Sequence, residues 1–449
     1  MCIRDSTYCY DGTRLKLLEY LSAWVTDSNK PSVLWISGLA GAGKSTLLCS
    51  LCRDLHRSSD VTLAASFFVS RKVQSRRDPR SVVQNLAYGL ALHNASVRDA
   101  VLDALKQVPD VTKAELSEQV EKLLTLPLSQ AAALSTPLVL VVDALDELDM
   151  TMQNKEALQL IPLLTHAVSK SAIRLKVVMS SRPDHELRKA FKQLKPPCST
   201  VNLHDASLSF VDVKSDIRLY LTASMRKIEV APSVSKPWPS DHELENVIKL
   251  AGELFIFAST VVSFTSMKIG NPVQHLRTVL QPNQSITSSK NPYDKLDGLY
   301  NQVLVESLST ETTPPLQDTT CRQFRELVGS VIHLRYPMTC NEISRLLGTD
   351  AYADEQLIKL LHAVFLWAED QPIQILHPSF PDYLLAAGRC SEERLRVNSS
   401  QQHRHLALRC LCIMNQHLKP VISDVYGVCL LYTSPSPRDR TRSRMPSSA

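Results

Sequence analysis

The residues best suited to chemistry form one short glycine-rich segment near the amino end of the chain. The segment fits the pattern G-x-x-x-x-G-K-[ST], and it lies directly between a predicted strand and a predicted helix. Glycines let successive backbone N–H groups turn toward a phosphate, and the start of the helix adds the positive end of its dipole. We therefore expect a phosphate-binding loop here. It consists of Gly38, Leu39, Ala40, Gly41, Ala42, Gly43, Lys44 and Ser45.

Two side chains of this loop carry the predicted chemistry. We expect Lys44 to reach the β- and γ-phosphates of a nucleotide and the Ser45 hydroxyl to ligate Mg²⁺. Thr46, the next residue, is counted with the nucleotide-binding set. The alternative is a chance glycine-rich turn, which would not need the strand and helix on either side.

Three carboxylates follow the apolar predicted strand Leu138–Asp143. Ligands of open α/β sheets bind at the carboxyl ends of the strands, and a buried strand ends in acids only where something there compensates their charge. Asp143 is the predicted Mg²⁺ carboxylate, held directly or through water. Glu147, or as second choice Asp146, is predicted to orient or deprotonate the attacking water. The alternative for these two acids is a first-turn role at the next helix.

An arginine follows the neighbouring predicted strand, Leu175–Ser181. We expect the forked donors of Arg182 to touch the γ-phosphate and so to report its presence. A surface arginine that pairs with a carboxylate or caps a helix is the alternative. ATP is favoured over GTP, because Asn154–Ala157 has the Asn-Lys of the guanine-reading element without its Asp.

Short apolar β-rich runs alternate with helical patterns in the first half of the chain. This alternation predicts an α/β P-loop NTPase fold, AAA-like, with a parallel sheet and helices on both faces. Asp78 and Pro79 are predicted to cap and begin one of these helices, and Leu15–Trp24 to form another before the sheet. The predicted strands are Val33–Ser37, Leu63–Ser70, Leu138–Asp143 and Leu175–Ser181.

The second half of the chain is predicted to be helical. Helices are predicted over Ser209–Met225 and Asp241–Thr265, and three more over Glu326–Leu334, Asn341–Leu347 and Asp354–Val364. Thr339 is predicted to cap Asn341–Leu347 and Gly348 to end it. A hairpin of Phe365–Ala368 and Ile373–His377 is predicted to follow. Three helices and a hairpin predict a winged-helix-like unit. DNA binding is not expected of it, because its third helix carries Glu355, Lys359 and His362 in place of a basic face.

These patterns divide the chain into predicted segments. They are a disordered or artefactual start (1–10), a pre-sheet helix (11–30), the NTPase domain (31–205), a helical domain (206–280), a linker (281–295), a winged-helix-like and helical domain (296–420), and a disordered or artefactual tail (421–449). Met1–Ser6 and Leu431–Ala449 resemble translated sequencing-adapter sequence. The alternative for the tail is an Arg/Ser-rich segment that touches RNA.

Composition and charge argue against several classes of protein for this chain. The net charge of +5 lies largely in the last residues, where four arginines oppose one aspartate, so the nearly neutral body predicts no nucleic-acid partner. No apolar run is long enough to span a bilayer, and no signal peptide is visible, so we expect a cytoplasmic protein without a membrane partner. Cys49 and Cys52 are read as packing thiols on a helix, with redox or metal binding as the alternative.

Together these residues resemble the NACHT family of STAND ATPases, particularly its fungal members. The resemblance extends over roughly Asp11 to Leu418. Its landmarks are Gly12–Arg14, Trp35–Ser45, Ala144 with Asp146 and Glu147, Ser181-Arg182-Pro183, Leu254-Phe255-Ile256, Leu296–Tyr300 and His377–Phe380.

This resemblance implies a nucleotide switch that binds ATP or ADP with Mg²⁺. The ADP form would be closed, and ATP would open it and permit self-association, so slow hydrolysis would act as a timer. His377 is the implied contact to the β-phosphate in the closed state; the alternative is a partly buried histidine that packs the hairpin. The effector and repeat-sensor domains usual in the family are not found in the sequence. A nucleic-acid remodelling or loading ATPase and a nucleotide-binding scaffold without turnover remain the competing functions.

Overall fold

The computed structural model describes residues 8–71, 73–148, 156–205, 207–234, 236–267, 270–281, 293–308 and 318–417. Both predicted artefactual peptides, Met1–Ser6 and Leu431–Ala449, lie outside these ranges, as do Asn154, Lys155 and most of the predicted linker.

A five-stranded parallel sheet forms the centre of the amino-terminal half. Its spatial order is β2-β3-β4-β1-β5. Its strands are β1 (Val33–Ser37), β2 (Thr62–Phe68), β3 (Leu138–Asp143), β4 (Leu175–Ser181) and β5 (Ser199–Asn202). The first four were predicted to within two residues at each end. The fifth was missed, because Val201 is its one buried residue and no apolar run marks it.

Both faces of this sheet are covered, which confirms the predicted fold class. Val33 and Trp35 point into one hydrophobic cluster, whereas Leu34 and Ile36 point into another. This alternation follows from the period of two along a strand. Helices α1 (Leu15–Thr26) and α2 (Lys44–Arg57) pack on the Leu34 side. The Val33 side is covered by α3 (Pro79–His93), α4 (Ala95–Gln107), α5 (Leu116–Val120), α6 (Leu126–Ser129), α7 (Glu156–Ser169) and α8 (His185–Lys192).

Local capping sets several helix ends where the sequence indicated them. The Asp78 carboxylate accepts a hydrogen bond of 2.9 Å from the Arg80 N–H, and Pro79 begins α3. Thr339 and Glu342 form a reciprocal capping box at the start of a later helix, and Gly348 ends that helix in the left-handed region at φ +69°. Each of these is a short-range hydrogen bond or backbone preference, so the sequence alone reveals it.

The carboxyl-terminal half is helical, and one continuous hydrophobic cluster runs through it from Val213 to Leu406. The single helix predicted over Asp241–Thr265 is wrong, because the chain breaks at Gly252, where φ is +58°. Its helices are α9 (Val213–Met225), α10 (Asp241–Ala251), α11 (Phe255–Thr265), α12 (Pro272–Leu280), α13 (Asp294–Leu308), α14 (Asp318–His333), α15 (Cys340–Leu347), α16 (Ala351–Leu360), α17 (Ser379–Leu385) and α18 (Ser399–His417).

A short antiparallel hairpin of β6 (Phe365–Leu366) and β7 (Gln374–Ile375) follows α16. It lies where it was predicted, with shorter strands, and α14 to α16 precede it in the predicted order. The winged-helix assignment itself stays a prediction. On α16 the Lys359 ammonium lies 2.6 Å from the Glu355 carboxylate, so this helix presents a neutralised pair.

Two further expectations concern single helices. Cys49 and Cys52 are both buried on α2, as expected of packing thiols. Within the described ranges, no helix combines the length and the apolar character needed to cross a bilayer.

Gly89 provides a test of how closely α3 approaches the sheet. A methyl group at this position would lie 2.5 Å from both the Ala64 carbonyl oxygen and the Ala65 Cβ on β2. We expect Gly89→Ala to lower the free energy of unfolding by about 1–3 kcal/mol, because overpacking outweighs the better helix propensity of alanine. Chemical denaturation measures the change. The neighbouring Tyr88→Ala, at a residue 65% exposed, is the control and should change stability by under about 0.5 kcal/mol. A more stable Gly89→Ala protein would show that the approach is looser.

Candidate functional site

The glycine-rich loop joins the end of β1 to the start of α2. Gly41 and Gly43 hold φ angles of +80° and +86°, which side-chain-bearing residues rarely adopt. A Cβ at Gly41 would also overlap the Ile256 side chain. The positive φ favours glycine at both positions, and the overlap with Ile256 adds a second reason at Gly41.

Lys44 lies inside this loop with 9% of its surface exposed. Its ammonium donates to the carbonyl oxygens of Gly38 at 2.7 Å and Leu39 at 3.0 Å. Burial lowers the pKa of Lys44, and the charges of Asp146 and Asp143 oppose that shift. The lysine is therefore a desolvated cation at the carboxyl edge of the sheet, surrounded by acids.

Asp143 closes the other side of the loop. It is 2% exposed at the end of β3, and its Oδ1 accepts a hydrogen bond from the Ser180 hydroxyl on the adjacent strand β4. Burial raises the pKa of the Asp143 carboxyl, and the hydroxyls of Ser180 and Ser45 counteract the rise. The two predicted metal ligands, Ser45 and Asp143, therefore lie near each other at the mouth of the loop.

This oxygen pair fits the requirements of a magnesium site. Mg²⁺ takes few protein oxygens and fills its remaining positions with water and substrate phosphates. A hydroxyl and a carboxylate beside a phosphate-binding loop supply the expected donors.

The turn after β3 carries the two other acids. Ala144 takes the left-handed conformation at φ +57°, and the short helical turn Leu145–Glu147 follows. Asp146 is buried and accepts from both the backbone N–H of Arg182 at 2.9 Å and its Nε at 3.1 Å. Glu147 accepts a hydrogen bond of 3.1 Å from the backbone N–H of Arg71. Both oxygens of Asp146 therefore bind Arg182. Glu147 uses its Oε2 for the Arg71 N–H, and no donor to its Oε1 is found among the residues that the structure describes.

The electrostatic environment of Glu147 also differs from that of an exposed glutamate. Burial raises its pKa, the Arg71 N–H lowers it, and the charge of Asp146 raises it further. The net result is a raised pKa, and shifted carboxyl pKa values are common at functional sites.

Arg182 directly follows β4, and its side chain joins the acidic turn after β3 to the carboxyl-terminal half of the chain. Its Nη1 lies 2.8 Å from Oδ2 of Asp382 on α17. In this structure Arg182 forms ion pairs, as the alternative had it: Nε binds Asp146 and Nη1 binds Asp382. Its contact with a γ-phosphate stays a prediction.

His377 lies just before α17 and beside the loop. Its Cε1 is 3.7 Å from the position a Cβ on Gly41 would take. Its Nδ1 accepts from the Ser379 N–H at 3.1 Å and pairs with the Ser379 hydroxyl at 2.7 Å. That hydroxyl in turn lies 2.8 Å from the hydroxyl of the buried Tyr300. With Nδ1 accepting, the proton of the neutral ring is on Nε2.

Residues far along the chain bind the backbone of the loop, and the sequence patterns did not identify them. The Leu39 N–H donates to His204 Nε2 at 3.0 Å, and the Ala40 N–H donates to the Tyr293 hydroxyl at 2.9 Å. The loop positions and these partners are separated by 165 and 253 residues, so no spacing rule could pair them.

Arg14 is a third such contact. Its Nη2 donates to the Ala42 carbonyl at 2.9 Å, its backbone N–H donates to the Asp216 carboxylate at 2.9 Å, and its guanidinium lies over the Phe255 ring at 5.2 Å. The residue is buried, and it joins the loop to α9 and α11. Its Gly-Thr-Arg motif was noted in the sequence, but this role was not predicted.

Comparison with known proteins gives matches to the same region and beyond. A family model described as Nephrocystin 3, N-terminal matches residues 12–182. The vegetative incompatibility protein HET-E-1 of Podospora anserina is 23% identical over 416 residues, which cover 88% of this chain. The chain spans 27% of the length of that relative.

Two solved structures are also similar. A STAND protein with a tetratricopeptide repeat sensor from Pyrococcus horikoshii aligns with a TM-score of 0.44 at 11% identity, over 90% of this chain and 45% of that one. The ORC1 protein of Aeropyrum pernix, solved in complex with DNA, aligns with a TM-score of 0.37 at 13% identity, over 90% and 94% of the two chains.

The loop, the carboxylates at the end of β3 and the two sequence matches agree with one another. These matches confirm the resemblance of the chain to the NACHT-type STAND P-loop NTPases.

Proposed function

We propose that this protein binds ATP with Mg²⁺, hydrolyses it slowly and uses the bound nucleotide to control its own association. The observation that carries the proposal is that Lys44, in a glycine-rich loop, and Asp143, at the end of β3, are both buried at the carboxyl edge of the sheet. A cation, a metal-ligand pair and a loop of backbone N–H groups converge there, as phosphoryl transfer requires.

Phosphate binding, metal binding and water activation are proposed for different residues of the site. Backbone N–H groups of Gly41 and Gly43–Thr46 and the Lys44 ammonium bind the phosphates. Ser45 and Asp143 would hold Mg²⁺, which would supply positive charge to the phosphate oxygens. Glu147 orients or deprotonates water, because the backbone N–H and the Nε of Arg182 already bind Asp146. Arg182 is the proposed contact to the γ-phosphate.

Contacts between the loop and later segments support the switch. His204, Tyr293 and Ile256 bind backbone groups at Leu39, Ala40 and Gly41 respectively. Any rearrangement of the loop around a nucleotide changes these contacts, and through them the helical half of the chain. His377, placed beside Gly41, is the proposed partner of the β-phosphate in the closed state.

The wider role is part of the same proposal. We place the ADP-bound form as closed and the ATP-bound form as open and self-associating.

Replacing Lys44 tests the binding of phosphate. We expect Lys44→Ala to lower ATP turnover by about 10²–10³-fold, because one preorganised charge at the transferring phosphoryl group is lost. A phosphate-release assay on the full chain measures it. Lys359→Ala, at a lysine paired with Glu355 outside the site, is the matched control and should turn over like wild type. Equal turnover in all three proteins would rule the loop out as the reacting site.

Replacing Glu147 separates hydrolysis from binding. We expect Glu147→Gln to lower turnover by about 10²–10⁴-fold while ATP affinity is kept, since loss of a general base leaves the phosphate contacts intact. Size-exclusion chromatography with ATP should then show a trapped oligomer. Glu186→Gln, at an exposed residue of α8, is the control.

Two results with the wild-type chain would contradict the switch, and the turnover assay is therefore repeated with DNA added. Turnover that rises strongly with DNA would indicate a remodelling or loading ATPase. Nucleotide binding with no turnover in the wild-type chain would indicate a scaffold.

A further inference from the structure

The Asp382 carboxylate lies between two arginines that come from the sheet. Its Oδ2 is 2.8 Å from Arg182 Nη1, and its Oδ1 is 3.7 Å from Arg71 Nη1. Arg182 follows β4 and Arg71 follows β2, so both are anchored at the carboxyl edge. Asp382 belongs to α17, in the other half of the chain.

Both arginines are held from their other side by the acidic turn after β3. Arg182 binds the Asp146 carboxylate through its Nε and its backbone N–H. Arg71 donates its backbone N–H to Glu147 and its Nη2 to the Asp146 carbonyl oxygen at 3.2 Å. These bonds fix the two guanidinium groups on the sheet, whereas the Nη1 donor of each faces Asp382.

We propose that Arg71 and Arg182 form an oxyanion site for the terminal phosphate of a nucleoside triphosphate, and that Asp382 occupies this site as an internal competitor. A carboxylate and a phosphate offer similar oxygen acceptors to forked arginine donors. The inference rests on the proposed function and adds Arg71 and Asp382 to its site.

Location and exposure both support the competition. Backbone N–H groups of Arg182 and Arg71 bind Asp146 and Glu147 in the acidic turn after β3, so both arginines lie at the same edge of the sheet as the phosphate-binding loop. The side chains of Arg182 and Asp382 are 20% and 25% exposed, so solvent screens their attraction. A phosphate of higher charge is able to displace such a carboxylate, and with it α17.

The Asp382→Asn variant tests this competition by calorimetric titration of the full chain with Mg²⁺. We expect its affinity for the nonhydrolysable β,γ-imido analogue of ATP to rise about tenfold, a difference of about 1.4 kcal/mol. The affinity for ADP should stay unchanged, because ADP lacks the phosphate that replaces Asp382. The ratio of the two affinities is the readout, and a general loosening of the fold would not change it selectively.

Three further proteins make the test specific. Asp382→Glu keeps the charge and should restore the wild-type ratio. Glu392→Gln, which removes a carboxylate of the same 25% exposure that pairs with Arg394, should leave the ratio unchanged. In a background of Arg71→Ala and Arg182→Ala, Asp382→Asn should have no effect, because its partners are gone.

The outcomes of this test separate a failure of the inference from a failure of the proposed function. A chain that binds both nucleotides with the same ratio in wild type and Asp382→Asn overturns the inference and leaves the proposed function standing. A wild-type chain that binds neither nucleotide overturns both.

Discussion

Charge buried at one edge of a parallel sheet is the constraint on which the rest of this structure depends. Lys44 and Asp143 are almost fully shielded from water, and burial shifts both pKa values toward the neutral forms. An ionised group in such a place is tolerated only when hydrogen bonds and opposite charges surround it. Carbonyl oxygens of the loop bind Lys44, and the hydroxyl of Ser180 binds Asp143. The sheet brings these groups together because its parallel strands all end at the same edge.

The same compensation extends from the sheet into the helical half. Asp146 neutralises Arg182, and Arg182 also pairs with Asp382 on α17. The N–H groups of Leu39 and Ala40 in the loop donate to His204 and Tyr293. The two halves are therefore joined by polar contacts at the site itself. Such contacts are individually weak and exchangeable, as a protein that responds to a ligand requires.

Sequence reasoning succeeded where the determining interactions are local. Four buried strands, the Asp78–Pro79 helix start and the Thr339 to Gly348 helix follow from short-range periodicity and capping, and all were located. It failed at β5, which is held in the sheet by backbone pairing with β1 and carries little apolar signal. It also failed at Gly252, where a backbone turn separates two helices of continuous apolar pattern.

For the site, the sequence by itself determined the residue types at the mouth of the loop: the glycines, Lys44, Ser45, Asp143 and Glu147. Their spacing is local, and a strand followed by a turn places each of them at a strand end. Only the tertiary structure decided their partners. It assigned Asp146 to Arg182, placed Arg71 against Glu147, and brought His204, Tyr293 and Asp382 to the same edge. These pairs join residues separated by tens to hundreds of positions, and burial of the common core, which no short pattern encodes, brings them within hydrogen-bonding distance.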